Sequence, residues 1–88
     1  MMLHASHSDI SKRLKRAHGH LAKVIEMIDD ERSCLDIAQQ LRAVESAVTK
    51  AKSTLIRDHV ENCMANASEN PEERTAQLAE FREITRYL

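Results

Sequence analysis

Apolar residues recur along the first third of the chain at alternating spacings of four and three residues. This period places them on one face of an α-helix, because a helical turn takes 3.6 residues. We expect the helix to begin near Ser8, which can cap it, with Asp9 favourable in the first turn. A polar run over 29–32 ends it. The predicted buried stripe is Ile10, Leu14, Ala17, Leu21, Val24 and Ile28.

A second and longer stripe follows with the same spacing. Ser33 opens the sequence S-C-L-D, a capping-box-like start with Asp36 at the third helical position. Nothing in the sequence stops this helix before about Met64. Such a regular stripe is typical of helices that pack against one another in a coiled-coil-like manner. Its members are Ile37, Leu41, Val44, Val48, Ala51 and Leu55.

A shorter third helix is predicted to begin with Asn70 as its cap and Pro71 at its first position. The three helices indicate an all-α fold, and residues 1–88 read as a single domain with 1–7 as a flexible tail. The apolar face of the third helix is Leu78, Phe81, Ile84 and Leu88.

The composition excludes several classes of function. The net charge of −1 is unlike that of a strongly basic, histone-like DNA binder. No stretch approaches the roughly 20 apolar residues of a membrane span, and Met1–His4 lacks the apolar region of a signal peptide, so we expect a cytoplasmic protein. We find no nucleophile with a base and an orienting group, no phosphate loop and no catalytic carboxylate pair, and therefore predict that the chain is not an enzyme.

Metal-ligand residues lie at both ends of the second stripe. Cys34 comes three residues before Ile37, and His59 and Cys63 come four and eight residues after Leu55. His59 and Cys63 are four residues apart, so they project from one helix face and can bind one ion. Two ligands leave a site incomplete, and Cys34 is the candidate for the third.

A single straight helix cannot bring these three residues together. Twenty-five residues separate Cys34 from His59, which is about 37 Å at about 1.5 Å per residue. An antiparallel partner, related by a dyad near Ala47 and Val48, places Cys34 of one copy beside His59 and Cys63 of the other. The sequence therefore predicts two equivalent metal sites, each shared between two subunits.

Two thiolates and an imidazole suit Cu(I), Zn(II), or a thiophilic Ni(II) or Co(II) site. Cys34 lies at a predicted helix N-terminus, where the helix dipole favours the thiolate. In the alternative interpretation, both cysteines are small buried hydrophobic residues and His59 is a hydrogen-bonded interfacial histidine.

Basic residues are segregated in spite of the balanced total charge. The third helix is more acidic than the other two. In one chain, a cluster of basic residues is usually an ordinary solvated face. The symmetry of an oligomer would repeat the cluster and create a basic surface that binds DNA phosphates. The basic residues are Lys12, Arg13, Lys15, Arg16 and Lys23 in the first helix, and Arg42, Lys50, Lys52 and Arg57 in the second.

Three segments resemble the CsoR/RcnR family of bacterial repressors, which includes copper, nickel/cobalt, formaldehyde and persulfide sensors. They are K-R-L-K-R-A-H-G-H-L over 12–21, S-C-L-D-I-A-Q-Q-L-R-A-V over 33–44 and H-V-E-N-C over 59–63, and the resemblance covers about residues 8–88. It implies antiparallel helical dimers that pair into tetramers. It also implies an apo form that binds operator DNA and represses an efflux gene until metal releases it.

The resemblance also implies roles for individual residues. Cys34, His59 and Cys63 match the family's metal ligands, and Glu80 is the nearest match to the acidic residue that supports them in copper sensors. Arg13 and Lys50 match its basic DNA contacts, and the neighbouring Lys12 and Arg16 are expected to assist.

The metal is less sharply specified than the site. Nickel and cobalt repressors recruit further nitrogen ligands, for which His20, His4 and His7 are available. The H-x-x-H near the N-terminus and the D-I-A-Q-Q-L segment resemble that branch, so Ni(II)/Co(II) is favoured over Cu(I). In the alternative interpretation His4 and His7 belong to a polar tail.

Two rival functions remain open from the sequence. A thiol-based sensor of electrophiles, aldehydes or reactive sulfur would use Cys34 as nucleophile and Cys63 as its partner, with His59 dispensable. A metal-buffering helical bundle would keep the ligands and tolerate the loss of Arg13 and Lys50.

Overall fold

The computed structural model describes residues 6–66 and 68–88, which form three helices. These are α1 (His7–Asp29), α2 (Cys34–Ala65) and α3 (Pro71–Thr85). Helices α1 and α2 form an antiparallel hairpin, and α3 packs on the C-terminal part of α2. The described part of the chain is elongated, at 59 × 23 × 15 Å. The predicted all-α fold with three helices is confirmed.

Two of the three predicted helix starts are confirmed by their caps. Ser33 Oγ accepts a hydrogen bond from the backbone N–H of Asp36 at 3.1 Å, as a capping residue should. Asn70 Oδ1 accepts from the N–H groups of Glu72 and Glu73 at 2.9 and 3.3 Å, and Pro71 is the first residue of α3. These side chains satisfy N–H groups that have no partner within their helices.

The predicted capping residue of α1 is wrong by two residues. Ser8 lies inside the helix, which begins at His7 with Ser6 as its N-terminal flanking residue. Ser6 has a helical backbone conformation, and its side chain makes no capping hydrogen bond. The start of α1 is therefore not fixed by a side-chain cap. Of the predicted tail, residues 1–5 lie outside the described residues, whereas His7 is helical.

Three of the six members of the first predicted stripe are buried within one chain, and two of the six in the second, where Ile37 is partly buried. Val24, at 1% exposure, is the most enclosed of the buried residues. A pair of helices covers a narrow contact line, whereas stripes as broad as these need a further partner. The expectation of one buried stripe is therefore corrected: every second member faces outward. The buried members are Ile10, Ala17, Val24, Val44 and Ala51, and the exposed ones are Leu14, Leu21, Ile28, Leu41, Val48 and Leu55.

A tight turn with an unusual backbone conformation joins α1 to α2. The N–H of Glu31 donates to the carbonyl of Ile28 at 3.1 Å, and the N–H of Arg32 donates to that of Met27 at 3.0 Å. This pair of bonds is the Schellman motif, whose left-handed position is usually glycine. Here Glu31 occupies it with φ of 55°, and its side chain makes that conformation costly.

Glu31→Gly is expected to stabilise the protein by about 1 kcal/mol, because glycine adopts the left-handed conformation without steric cost. The measurement is thermal unfolding at fixed protein concentration, with an expected rise of about 4–8 °C for a domain of this size. Asp30→Gly is the matched control. Its φ is −85°, so glycine there should lower stability by about 0.5–1 kcal/mol. Equal effects of the two substitutions would contradict the strain at Glu31.

Candidate functional site

His59 and Cys63 form a pair of potential ligands near the C-terminal end of α2. The Nε2 of His59 lies 3.6 Å from the Sγ of Cys63. Both residues are partly buried, and the His59 side chain is 17% exposed. One turn of helix separates them, and this spacing sets both side chains on the same face, as the sequence predicts.

The spacing of these two atoms fits a shared soft metal ion. Metal–sulfur and metal–imidazole bonds of about 2.3 and 2.0 Å, meeting at trigonal to tetrahedral angles, place the two ligand atoms about 3.5–3.7 Å apart. The observed 3.6 Å falls in that range. The distance is thus compatible with two ligands of one ion, and the role of His59 and Cys63 as metal ligands stays a prediction.

Glu80 of α3 lies beside this pair. Its Oε1 is 3.4 Å from the Nε2 of His59, while its own side chain is 64% exposed. Glu80 thus contacts the same ring nitrogen that faces Cys63, and one nitrogen cannot both bind a metal ion and donate to a carboxylate, so the supporting role of Glu80 stays a prediction. The contact also ties α3 to the ligand pair, because a movement of either helix alters this contact.

Ser68 fixes the direction in which α3 leaves α2. Its N–H donates to Gln77 Oε1 at 3.1 Å, and its hydroxyl donates to Glu73 Oε2 at 2.6 Å. Arg74 Nε donates to the Ser68 carbonyl at 3.1 Å. These bonds hold the first two turns of α3 against the preceding loop, so Glu80, one turn further along, is directed towards His59.

Cys34 lies at the opposite end of α2. It is the first residue of the helix, it is exposed, and its thiol is free, as is that of Cys63. Among residues 6–66 and 68–88, no group of three or more His, Cys, Asp and Glu side chains is placed to hold a metal ion. One chain thus presents two ligands at one end of α2 and one ligand at the other.

Within one chain, the other described candidates, His20 and His7, do not form a group of three potential ligands with His59 and Cys63. His20 Nε2–H donates to Gln40 Oε1 at 2.6 Å, which joins α1 to α2. His7, at the start of α1, lines a mainly apolar groove with Leu14, His18 and Leu55. His4 lies outside the described residues. The Gln40 partner of His20 was not identified from the sequence, which carries no signal for a contact between residues twenty positions apart.

Three of the four predicted DNA-binding residues line one groove between α1 and α2. Arg13 and Arg16 come from α1 and Lys50 comes from α2. Lys12 is exposed but does not line this groove. We call the surface the basic groove; its remaining lining residues are Ala17, His20, Ala43, Ser46 and Ala47.

Small residues and an exposed ion pair shape the basic groove. Alanines at 17, 43 and 47 form part of its lining and leave space between the longer basic side chains. Arg13 Nε lies 3.1 Å from Asp9 Oδ2, with both side chains about half exposed. Such a surface pair contributes little stability, so Asp9 holds Arg13 only weakly. Ser46, which sequence reasoning missed, supplies a hydroxyl to the same groove.

Comparisons with known proteins bear on the His59–Cys63 pair and on the basic groove. A family model described as "Metal-sensitive transcriptional repressor" matches residues 6–87. The copper-sensing transcriptional repressor CsoR of Mycobacterium ulcerans is 38% identical over 55 residues, which are 62% of this chain and 47% of the relative. CsoR of Bacillus subtilis is 36% identical over 58 residues, or 66% and 57% of the two chains. The copper-sensing repressor RicR of Mycobacterium tuberculosis is 32% identical over 57 residues, or 65% and 59%.

The matches span about half the length of these curated relatives. None of the helices in the described part of the chain has the length and apolar character needed to cross a membrane.

Proposed function

Because the chain belongs to the family of metal-sensitive transcriptional repressors, we propose that it binds operator DNA in its apo form and releases it when Cu(I) binds. The Cu(I) site is completed between two copies of the chain by Cys34 of one and by His59 and Cys63 of the other. The observation that carries this proposal is the separation of the ligands along α2, with an exposed apolar stripe between them.

The exposed stripe supplies the dimer interface. Leu41, Val48 and Leu55 are spaced seven residues apart, and all three are exposed in the single chain. A dyad at Val48 packs this stripe against its own antiparallel copy. Cys34 lies fourteen residues before Val48 and Cys63 lies fifteen after it, so the same dyad brings Cys34 to the partner's ligand pair. Pairing of dimers into a tetramer remains a prediction.

Cu(I) replaces Ni(II)/Co(II) as the favoured metal for two reasons. Two thiolates and one imidazole are a soft donor set, which suits Cu(I) or Zn(II) better than Ni(II) or Co(II). The relatives described above are all named copper-sensing.

The basic groove supplies the DNA-binding surface. Arg13, Arg16 and Lys50 converge on it, and two-fold symmetry repeats it on the dimer. Phosphate contacts of this kind account for salt-dependent affinity, while sequence preference arises from DNA shape. If the metal-bound dimer holds the two grooves in a geometry that matches DNA poorly, DNA must weaken metal binding by the same factor.

The test begins by selecting a binding sequence from random duplex DNA with the reduced apo-protein. The complex is then titrated separately with Cu(I), Zn(II), Ni(II) and Co(II). We expect Cu(I) to release the DNA, and Cys34→Ser to bind the same DNA without responding to Cu(I).

Each other outcome assigns a different function. Release by Zn(II), Ni(II) or Co(II) without release by Cu(I) would overturn the choice of Cu(I). Release only by an oxidant or aldehyde, retained in His59→Ala, would identify a thiol-based sensor. A protein that binds Cu(I) but selects no DNA would be a metal-buffering bundle.

A further inference from the structure

His20 lies between the basic groove and a second groove. The second groove runs along the C-terminal half of α1 towards the start of α2, and Gln40 contributes to its lining. Arg16 and His20 line both grooves. A substitution at His20 therefore alters the lining of the basic groove.

The bond from His20 Nε2–H to Gln40 Oε1 is short, at 2.6 Å, and both side chains are partly buried. It is a cross-link between the two walls of the basic groove, since His20 belongs to the wall that carries Arg13 and Arg16, and Gln40 belongs to the helix that carries Lys50. The backbone hydrogen bonds of α1 and α2 lie within each helix, so they do not set the position of one helix against the other.

We propose that His20 is a positioning residue for DNA binding: its bond to Gln40 holds α1 and α2 at the register in which Arg13, Arg16 and Lys50 together fit the DNA phosphates. This inference rests on the function proposed above. It assigns to His20 a role other than that of the further metal ligand suggested by the sequence.

The physical basis is preorganisation of the groove. Without the cross-link, α1 is held against α2 by the apolar packing of residues such as Ala17 and Val24. Such packing is less directional than a hydrogen bond, so α1 shifts more readily against α2. DNA then binds only the fraction of molecules in the competent register, and the apparent Kd rises in inverse proportion to that fraction. A hydrogen bond of ordinary strength alters such a fraction by up to about tenfold.

The Cu(I) affinity of a His20 variant distinguishes a positioning role of His20 from a role as metal ligand. If the cross-link favours the DNA-binding register and metal favours another, its loss leaves Cu(I) affinity unchanged or raises it, by reciprocity. Loss of a ligand lowers Cu(I) affinity instead. The two roles thus differ in whether the variant's Cu(I) affinity falls: it falls for a ligand and does not fall for a positioning residue.

The test compares His20→Leu with His18→Leu, a matched control that removes an exposed imidazole two residues away on the same helix. The apo dimer of His20→Leu should bind the selected DNA about five- to tenfold more weakly, with undiminished Cu(I) affinity. His18→Leu should behave as wild type. His20→Gln should restore DNA affinity, because its amide N–H can donate to Gln40.

Gln40→Leu separates positioning from direct contact, because Gln40 does not line the basic groove. It should weaken DNA binding as much as His20→Leu does, and the double variant should lose no more than either single one. An additive double variant, an unchanged DNA affinity in His20→Leu, or a fall in its Cu(I) affinity would each overturn the positioning role. If the wild-type protein binds no DNA either, the proposed function itself fails.

Discussion

Val48→Asp is expected to dissociate the dimer and, with it, to abolish both Cu(I) binding at the shared site and binding to DNA. Val48 is 46% exposed in the single chain and lies at the centre of the outward-facing stripe of α2. At an antiparallel dyad the two substituted carboxylates face each other, and burying two like charges costs several kcal/mol. The dimer Kd should rise by at least about a thousandfold, which corresponds to about 4 kcal/mol.

Sedimentation over a range of protein concentrations measures this effect. Ser53→Asp is the control, because it introduces the same charge on an exposed position of α2 that faces away from the stripe. The control should remain dimeric. A Val48→Asp protein that is dimeric at the concentrations where wild type is dimeric would place the interface on another surface.

Lys50→Glu is expected to reduce DNA affinity by at least about a hundredfold, because each subunit loses a phosphate contact and gains a repulsive charge. The dependence of log Kd on log salt concentration should become shallower by about one unit for each phosphate contact that is lost. Cu(I) affinity should stay at the wild-type value, since Lys50 belongs to the basic groove and not to the ligand set.

Arg82→Glu controls for the change in total charge. It alters the net charge by the same amount on α3, which carries none of the residues that line the basic groove. DNA affinity should fall far less than in Lys50→Glu. Equal losses in the two variants would show that overall charge, and not the basic groove, governs binding.

The sequence was most informative where one residue acts locally. Ser33 and Asn70 mark the starts of α2 and α3, because a short polar side chain can satisfy a nearby N–H group in any tertiary context. His59 and Cys63 were placed together by helical spacing alone, and the structure shows them 3.6 Å apart. The start of α1 was misplaced because no side chain caps it.

Features that depend on the packing of two helices were not predictable in the same way. Val44 and Val48 belong to one sequence pattern, yet the first is buried against α1 and the second faces outward. Both are equally apolar, so hydropathy cannot tell which of them meets the nearer helix. The His20–Gln40 bond depends likewise on the register of α1 against α2, which local propensities do not encode.

The most direct test of a site shared between subunits is Cu(I) binding by mixed dimers. One chain carries Cys34→Ser, the other carries His59→Ala and Cys63→Ser, and the two are co-expressed with different affinity tags and purified as the heterodimer. Neither homodimer retains an intact set of ligands. A site shared between subunits predicts that the heterodimer binds one Cu(I) per dimer with near wild-type affinity, because Cys34 of the second chain meets His59 and Cys63 of the first. A heterodimer that binds Cu(I) no better than either homodimer would contradict the shared site.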